Sequence, residues 1–243
     1  MATIDWTAEV LDQIETHWQE RLRPRLEGLT DEEFFWEPVP GCWSVHRRGE
    51  STAPISWGSG EFTWDYGPDT EPTPVTTIAW RLGHLIESFA STNGVYFGRP
   101  RVDAETFDYP GTAAAALARL DEVHADFAAG VRSLGDGGLA EPQGHRSPPA
   151  FAHAPVARVV LYMSVEVFHH GAEVCLLRDL FLKSNGPPYG RTVEVRARRM
   201  SRELDAVEHI RICRDPRGTA DERTCESPPR QDAAHTDTPR PPQ

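Results

Sequence analysis

Four side chains able to bind a metal ion or move a proton lie within eight residues, EVFHHGAE at 166–173. Glu166 and His170 are four positions apart, so on a helix both side chains lie on one face, about 6 Å apart. His84 occurs in an earlier segment of helical spacing, among apolar residues, and we expect it to point inward. A carboxylate and an imidazole from one helix and an imidazole from a facing helix can supply three ligands to a divalent ion. Three protein ligands leave an open coordination position, as in catalytic metal sites.

The other two polar side chains of this segment, His169 and Glu173, have more than one possible role. His169 lies about 100° round the helix from His170. It could replace His170 as a ligand, form a hydrogen bond that supports a ligand, or be exposed. Glu173 could pair with His169 or orient His170. The simpler interpretation is a hydrogen-bonded core histidine and a surface ion pair, and the spacing alone does not decide between the two.

Four segments have the periodicity of long helices, which predicts an all-α fold, a four-helix bundle with long connections. In the first segment Val10, Ile14, Trp18 and Leu22 recur every four residues, and Pro24 is expected to interrupt the helix. In the second segment Ile78, Leu82, Leu85 and Phe89 form one apolar stripe. The four segments are 5–28, 76–98, 112–134 and about 155–183.

The connections carry their own signals. Thr30 and Glu33 have capping-box spacing, which predicts a short helix starting at Thr30. Residues 37–49 are punctuated by proline and glycine and are expected to form an ordered loop, and 50–75 a small hairpin or an irregular insert. We expect a bundle domain over 1–183 and a C-terminal extension over 184–243. The extension is polar and rich in proline, so we expect it to be poorly ordered and largely disordered, although TVEVRAR could form one strand.

Charge and composition restrict the functional classes. The formal net charge of −12 argues against a nucleic-acid-binding protein, because no excess of basic groups would offset phosphate repulsion. The N-terminus is amphipathic from its start and no run of about 18 apolar residues occurs, so we expect neither a signal peptide nor a membrane span, and a cytoplasmic location. The four cysteines form no CxxC pair and are expected to be reduced and structural.

Three segments in this order resemble the DinB-like superfamily, especially its actinobacterial branch that includes mycothiol-dependent enzymes. They are LTDEEFFWEPVPGCWSV (29–45), TTIAWRLGHLIESFASTNGVYFG (76–98) and EVFHHGAEVCLLRDLF (166–181). The resemblance covers about 5–183 and leaves the last sixty or so residues unmatched. The loop with its tryptophan and the HHGAE segment are specific in combination, whereas the GHL segment alone would be weak.

The resemblance implies one histidine from the second helix and two ligands four residues apart on the last helix. In many members the two ligands on the last helix are HxxxH. In the mycothiol-dependent maleylpyruvate isomerase they are ExxxH, and Glu166 and His170 match that version. An HxxxH ending at His169 would need a histidine where this chain has Val165. The implied ligands are therefore His84, Glu166 and His170, with Zn²⁺ expected and Ni²⁺, Mn²⁺ or Fe²⁺ compatible with the same donors.

These expectations lead to a metal-dependent thiol transferase or thiol-dependent isomerase, with Glu166 and His170 as catalytic residues. The ion would activate a low-molecular-weight thiol, mycothiol by resemblance, against an electrophilic small molecule. The alternatives are a metal-dependent hydrolase, with Glu166 or Glu173 handling protons, and a non-catalytic protein that binds metal or small molecules. Partners are expected to be small molecules, with no nucleic acid and no membrane, and the chain a monomer or homodimer. Five further side chains could line the pocket but have simpler structural interpretations: Trp43, His46, Arg81, Asn93 and Arg178.

Overall fold

The structure, a computed structural model, describes residues 4–68 and 70–185. This part of the chain is predominantly helical, with a small sheet inserted before the central helix. Its elements are α1 (Trp6–Thr16), α2 (Asp31–Phe34), β1 (Val45–Arg47), β2 (Ile55–Trp57), β3 (Phe62–Tyr66), α3 (Ile78–Tyr96), α4 (Ala113–Ala140) and α5 (Ala157–Asn185), with short 3₁₀ turns at Gly144–Arg146 and Pro149–Phe151.

The long helices α1, α3 and α4 each begin where the sequence supplies a capping side chain. The Asp5 carboxylate accepts a hydrogen bond from the backbone N–H of Ala8, and the hydroxyls of Thr77 and Thr112 cap α3 and α4 in the same way. The predicted capping box is confirmed: the Thr30 side chain accepts from the N–H of Glu33, and the Glu33 carboxylate accepts from the N–H of Thr30.

The first helical segment changes geometry on its way to Pro24, as predicted. After α1 the chain continues as a π-helical stretch, His17–Leu22, and then as a 3₁₀ turn, Arg23–Leu26, with Pro24 near its start. Proline lacks an N–H and cannot continue the regular pattern of α-helical hydrogen bonds. The stretch remains part of the core, because Trp18, Leu22 and Leu26 are all buried.

The core forms around α3, which packs against both α4 and α5, while α1 packs against α4. The predicted stripe of α3 is buried, with Leu82, Leu85 and Phe89 fully inaccessible to solvent. Each such side chain contributes roughly 1.5–3 kcal/mol through removal of apolar surface from water. This packing fixes the orientation of α3 relative to α5, the two helices that carry the candidate site.

The helix predicted to end at 134 continues to Ala140 in the structure, but with a break at the predicted place. Gly135 has φ 58° and ψ 179°, a conformation that favours glycine, so α4 consists of two helical parts joined there. The break directs the Asp136 carboxylate toward α1, where it accepts hydrogen bonds from the backbone N–H and hydroxyl of Thr7, both at 2.8 Å.

The predicted fold is confirmed in its predominantly helical character but was incomplete, because residues 45–66 also form a three-stranded antiparallel sheet in the order β1-β3-β2. Val45 pairs with Trp64 across β1 and β3, and Trp57 pairs with the same residue across β2 and β3. These strands have three to five residues, too short for a clear alternating pattern. The count of four helices was also incomplete, since four long helices are accompanied by α2, which is a single turn.

The last helix is long and apolar enough to cross a membrane by length and composition alone. An 18-residue stretch within Ala157–Ser184 has a mean hydropathy of 1.2, and 39% of that stretch is buried inside the structure. Val160, Met163, Val167 and Val174 of this helix are core residues. The absence of a membrane span therefore stays a prediction. The helix runs beyond the predicted limit at 183, and the rest of the predicted extension, including TVEVRAR, lies outside the described residues.

Candidate metal centre

The side chains of His84, Glu166 and His170 converge between α3 and α5. Oε2 of Glu166 lies 3.2 Å from Nε2 of His84 and 3.2 Å from Nε2 of His170. The three potential ligand atoms all lie within 4.8 Å of one another. The two imidazole rings are nearly perpendicular, with an interplanar angle of 87°. Both nitrogens therefore approach the same carboxylate oxygen from different directions.

These separations fit the donor set of a zinc site. Ligand atoms about 2.0–2.2 Å from a tetrahedral ion lie about 3.3 Å from one another, close to the two observed distances of 3.2 Å. Two imidazole nitrogens and one carboxylate oxygen are ordinary ligands of Zn²⁺, and other divalent transition metals accept the same donors. His170 is buried and Glu166 half-buried, so an ion bound here would be partly shielded from solvent.

The second nitrogen of His170 faces a different carboxylate. Its Nδ1 lies 2.7 Å from Oε2 of Glu173 and 3.3 Å from Nη1 of Arg81. An arginine can only donate, so Nδ1 cannot both accept from Arg81 and donate to Glu173. The shorter contact to the carboxylate favours the tautomer in which Nδ1 carries the proton, which leaves Nε2 with a free lone pair toward Glu166. Glu173 thus orients His170 in the way that supporting carboxylates orient metal-binding histidines.

His169 lies on the outer side of α5. Its side chain is 61% exposed, and Nε2 lies 3.4 Å from Oε1 of Glu173. Its ring stacks on that of His170, with centroids 4.6 Å apart. His169, His170 and Glu173 form a second group of potential ligands, but Glu173 uses its other oxygen on Nδ1 of His170. The two groups share His170. The first group combines residues of α3 and α5, whereas all members of the second lie on α5.

An aromatic wall positions His84. The rings of Trp64 and Trp80 lie nearly parallel to the imidazole, with interplanar angles of 16° and 19° and centroids 6.1 and 5.8 Å away. The indole N–H of Trp64 donates to the carbonyl of Trp80, and the indole N–H of Trp80 donates to the carbonyl of Asp65. The small sheet therefore fixes the ring of His84, because β3 supplies both Trp64 and Asp65.

The electrostatic surroundings favour the protonation states that metal ligands need. Burial lowers the pKa of His84, which keeps its imidazole neutral. Burial would raise the pKa of Glu166, but hydrogen bonds from Tyr162 and His84 hold it below its ordinary value. The carboxylate is therefore ionised.

The sequence analysis missed two residues of this site. Tyr162 stands four positions before Glu166, and this one-turn spacing could have identified it as a partner of the carboxylate. Trp64 gave no such signal, because its place beside His84 depends on how the sheet packs against α3. For Arg81 the simpler interpretation was an exposed surface residue, but its side chain is only 19% exposed and Nε lies 3.2 Å from Oε2 of Glu173.

The other candidate residues have structural roles. The Asn93 amide donates to the carbonyl of Val123, and Arg178 pairs with Glu33 at 2.8 Å. His46 lies 3.0 Å from the buried carboxylate of Asp65. The indole of Trp43 packs near that of Trp80, with centroids 6.5 Å apart. These contacts tie loops and helices together and place no reactive group at the candidate centre.

Neither cysteine of the described residues belongs to the candidate centre. Cys42 is buried and donates to the carbonyl of Val39, and burial raises the pKa of its thiol. Cys175 is half-buried, and its side chain packs against the core. Both are unpaired thiols, as expected, while Cys213 and Cys225 lie outside the described residues.

Comparison with known proteins identifies one family. The family described as the DinB superfamily matches residues 13–174, more than half of the chain. The matched range includes His84, Glu166, His170 and Glu173. No curated protein and no solved structure matches the chain.

Proposed function

The chain belongs to the DinB superfamily, which includes metal-binding enzymes, and from that premise we propose that it is a metal-dependent thiol transferase. His84, Glu166 and His170 hold a divalent ion, Zn²⁺ by preference, and a low-molecular-weight thiol, preferably mycothiol, is joined to an electrophilic small molecule. The observation that carries the proposal is the convergence of two imidazole nitrogens on one carboxylate oxygen, each at 3.2 Å.

A divalent ion at this position would lower the pKa of a thiol and so make its sulfur nucleophilic near neutral pH. The residues of the chain prepare the site for it. Glu173 fixes the tautomer of His170, and the tryptophan wall fixes the ring of His84. In the part of the chain that the structure describes, neither Cys42 nor Cys175 lies among the candidate ligands, which supports a sulfur supplied by a separate molecule.

In the overall reaction the thiol loses its proton and its sulfur forms a bond to carbon. A leaving group departs with the bonding electrons, so the products are a thioether and the protonated leaving group. When the electrophile is a conjugated double bond, the sulfur adds and later leaves again after rotation about the saturated bond. That variant is the thiol-dependent isomerisation, and it needs no residues beyond those of the transfer.

The proposed location is cytoplasmic, and the proposed partners are small molecules rather than nucleic acid or membrane. The net charge of −12 supports the exclusion of nucleic acid. We propose that the protein is a monomer or homodimer; all three proposed ligands come from one chain, so the site needs no second copy.

The test uses the full chain, freed of metal and then loaded with Zn²⁺, with monochlorobimane as the electrophile. We expect conjugation above the uncatalysed rate only when both Zn²⁺ and mycothiol are present. His170→Ala should lower the rate at least a hundredfold, and His169→Ala, one position away and exposed, should change it less than threefold. Equal rates for the metal-free and loaded proteins would overturn the proposal. Hydrolysis of p-nitrophenyl acetate that needs Zn²⁺ but no thiol would instead support the hydrolase.

A further inference from the structure

A cavity of about 620 Å³ opens next to the candidate metal centre, between α3, α5 and residues 143–151. Ser88 lines it on α3, four positions after His84, and Tyr162 lines it on α5, four positions before Glu166. Four residues of a helix span about 6 Å, so the cavity begins one turn from the proposed ligands on both helices.

Two guanidinium groups line the far part of this cavity. Arg146 lies over the ring of Tyr96, with its Cζ 5.0 Å from the centroid, and Arg158 lies over the ring of Phe151 at 4.9 Å. Arg146 donates from Nε and Nη2 to the carbonyls of Gln143 and Pro142. Within residues 4–68 and 70–185, neither guanidinium forms an ion pair with a carboxylate. Stacking on an aromatic ring holds the plane of a guanidinium and leaves N–H groups at its edge free for an anion.

Part of the remaining lining is aliphatic and suits an uncharged, apolar middle part of a ligand. Met163, Val159 and Val95 contribute aliphatic surface between the two ends. Glu87 is the acidic side chain of the lining, and burial raises the pKa of its carboxyl, with the nearby Asp103 adding to the effect. Two arginines against one carboxyl group leave the cavity positive in a chain whose net charge is −12.

We infer that this cavity binds the electrophilic substrate, and that Arg146 and Arg158 bind a carboxylate at the end of that substrate remote from the metal centre. Arg158 precedes Glu166 by eight residues on the same helix, which corresponds to about 12 Å. The substrate class is therefore an elongated organic acid with an electrophilic carbon at one end and an apolar middle. The inference names the substrate of the proposed transferase and so rests on the proposed function.

The test measures binding to the metal-free full chain, so that it does not depend on turnover. The probes are trans-cinnamate and cinnamamide, which share an apolar body and differ in the charge of the terminal group. We expect cinnamate to bind at least tenfold more tightly by isothermal titration calorimetry. Arg146→Gln and Arg158→Gln should each weaken cinnamate about tenfold, which is about 1.4 kcal/mol, and leave cinnamamide unchanged. Retained binding of the amide shows that the variant cavity is folded.

A matched control is Arg132→Gln, because Arg132 is exposed on α4 and pairs with Glu15 away from the cavity. This variant should bind cinnamate like the wild type, whereas Glu87→Gln should bind it more tightly. Equal affinities for acid and amide, or a preference for the acid that survives both cavity substitutions, would overturn the inference. So would displacement of cinnamate by mycothiol, since the cavity would then hold the thiol.

The result is separable from that of the transferase assay. If the protein prefers cinnamate through Arg146 and Arg158 but shows no thiol transfer, the acid-binding cavity is supported and the proposed function is wrong. If the protein transfers the thiol to monochlorobimane but binds cinnamate no more tightly than cinnamamide, the proposed function stands and the cavity is not the site of an acidic substrate.

Discussion

Nδ1 of His170 lies 2.7 Å from Oε2 of Glu173, so the ring donates its proton away from the side that faces Glu166. This hydrogen bond selects the tautomer with a free Nε2, the form in which the imidazole can bind a metal. Substitution Glu173→Ala should therefore weaken Zn²⁺ binding about 10–100-fold, measured by competition with a chromophoric chelator. Glu173→Gln should recover part of the affinity because its amide oxygen still accepts the proton. Equal affinities of wild type and Glu173→Ala would contradict this role.

Removal of any one proposed ligand should abolish stoichiometric metal uptake. The variants are His84→Ala, Glu166→Gln and His170→Ala. After dialysis against micromolar Zn²⁺, each should retain less than a tenth of the Zn²⁺ of the wild type, because two ligands bind the ion far more weakly than three. Metal content by mass spectrometry is the measurement. The control is His153→Ala, an exposed histidine outside the candidate centre. If His84→Ala kept its zinc, the assignment of α3 to the site would be wrong.

The ion pair between Arg178 and Glu33 should be a major contribution to stability. Glu33 is buried, and Arg178 Nε lies 2.8 Å from its Oε1 while Nη1 donates to the carbonyls of Arg25 and Glu27. Arg178→Met leaves a buried carboxylate without its partner and should lower the free energy of unfolding by about 3–5 kcal/mol in urea titrations. The double substitution with Glu33→Gln should recover part of that loss.

An exposed pair provides the comparison. Arg119 and Glu122 are three residues apart on the surface of α4, so Arg119→Met should cost less than about 1 kcal/mol. Similar losses for Arg178→Met and Arg119→Met would show that burial of Glu33 does not determine the effect.

His124 should make the stability depend on pH. Burial lowers its pKa from 6.5 to about 4, and its ring stacks on Trp18 at 3.9 Å. Between these values the unfolded chain binds a proton that the folded chain does not, so stability is complete above pH 6.5 and decreases as the pH falls toward 4. The loss from pH 7 to pH 4.5 due to this group should be about 2–3 kcal/mol.

Urea titrations at several pH values measure this contribution. His124→Phe keeps an aromatic ring against Trp18 and should remove that part of the pH slope, whatever its stability at pH 7. His153→Ala should keep the slope, because its side chain is exposed. An unchanged slope in His124→Phe would refute the assignment.

The helices and their caps could be predicted because their signals are local. The four-residue spacing of Ile14, Trp18 and Leu22 specifies a buried face, and Thr30 with Glu33 specifies a helix start, whatever the rest of the chain does. The ExxxH spacing also placed Glu166 and His170 on the same face of α5, and the structure brings His84 to them. The role of these atoms as ligands stays a prediction.

The rest of the site depends on contacts between segments distant in sequence. Trp64 reaches His84 only because β3 packs onto α3, and strands of three to five residues carry too little periodicity to reveal that packing. Arg146 and Arg158 line one cavity although the first belongs to a connection and the second to α5. Sequence spacing states which side chains share an element, and it does not state which elements meet.

His84 and Glu166 are separated by 82 positions along the chain. At a synthesis rate of 5–20 residues per second, the ribosome makes the carboxylate roughly 4–16 s after the imidazole. During that interval the histidine has no partner across the helix pair, whereas Trp64 and Trp80, made before it, are already available to cover its ring. The proposed metal can therefore be acquired only after the last helix has emerged and docked, which makes loading a late step in the maturation of this protein.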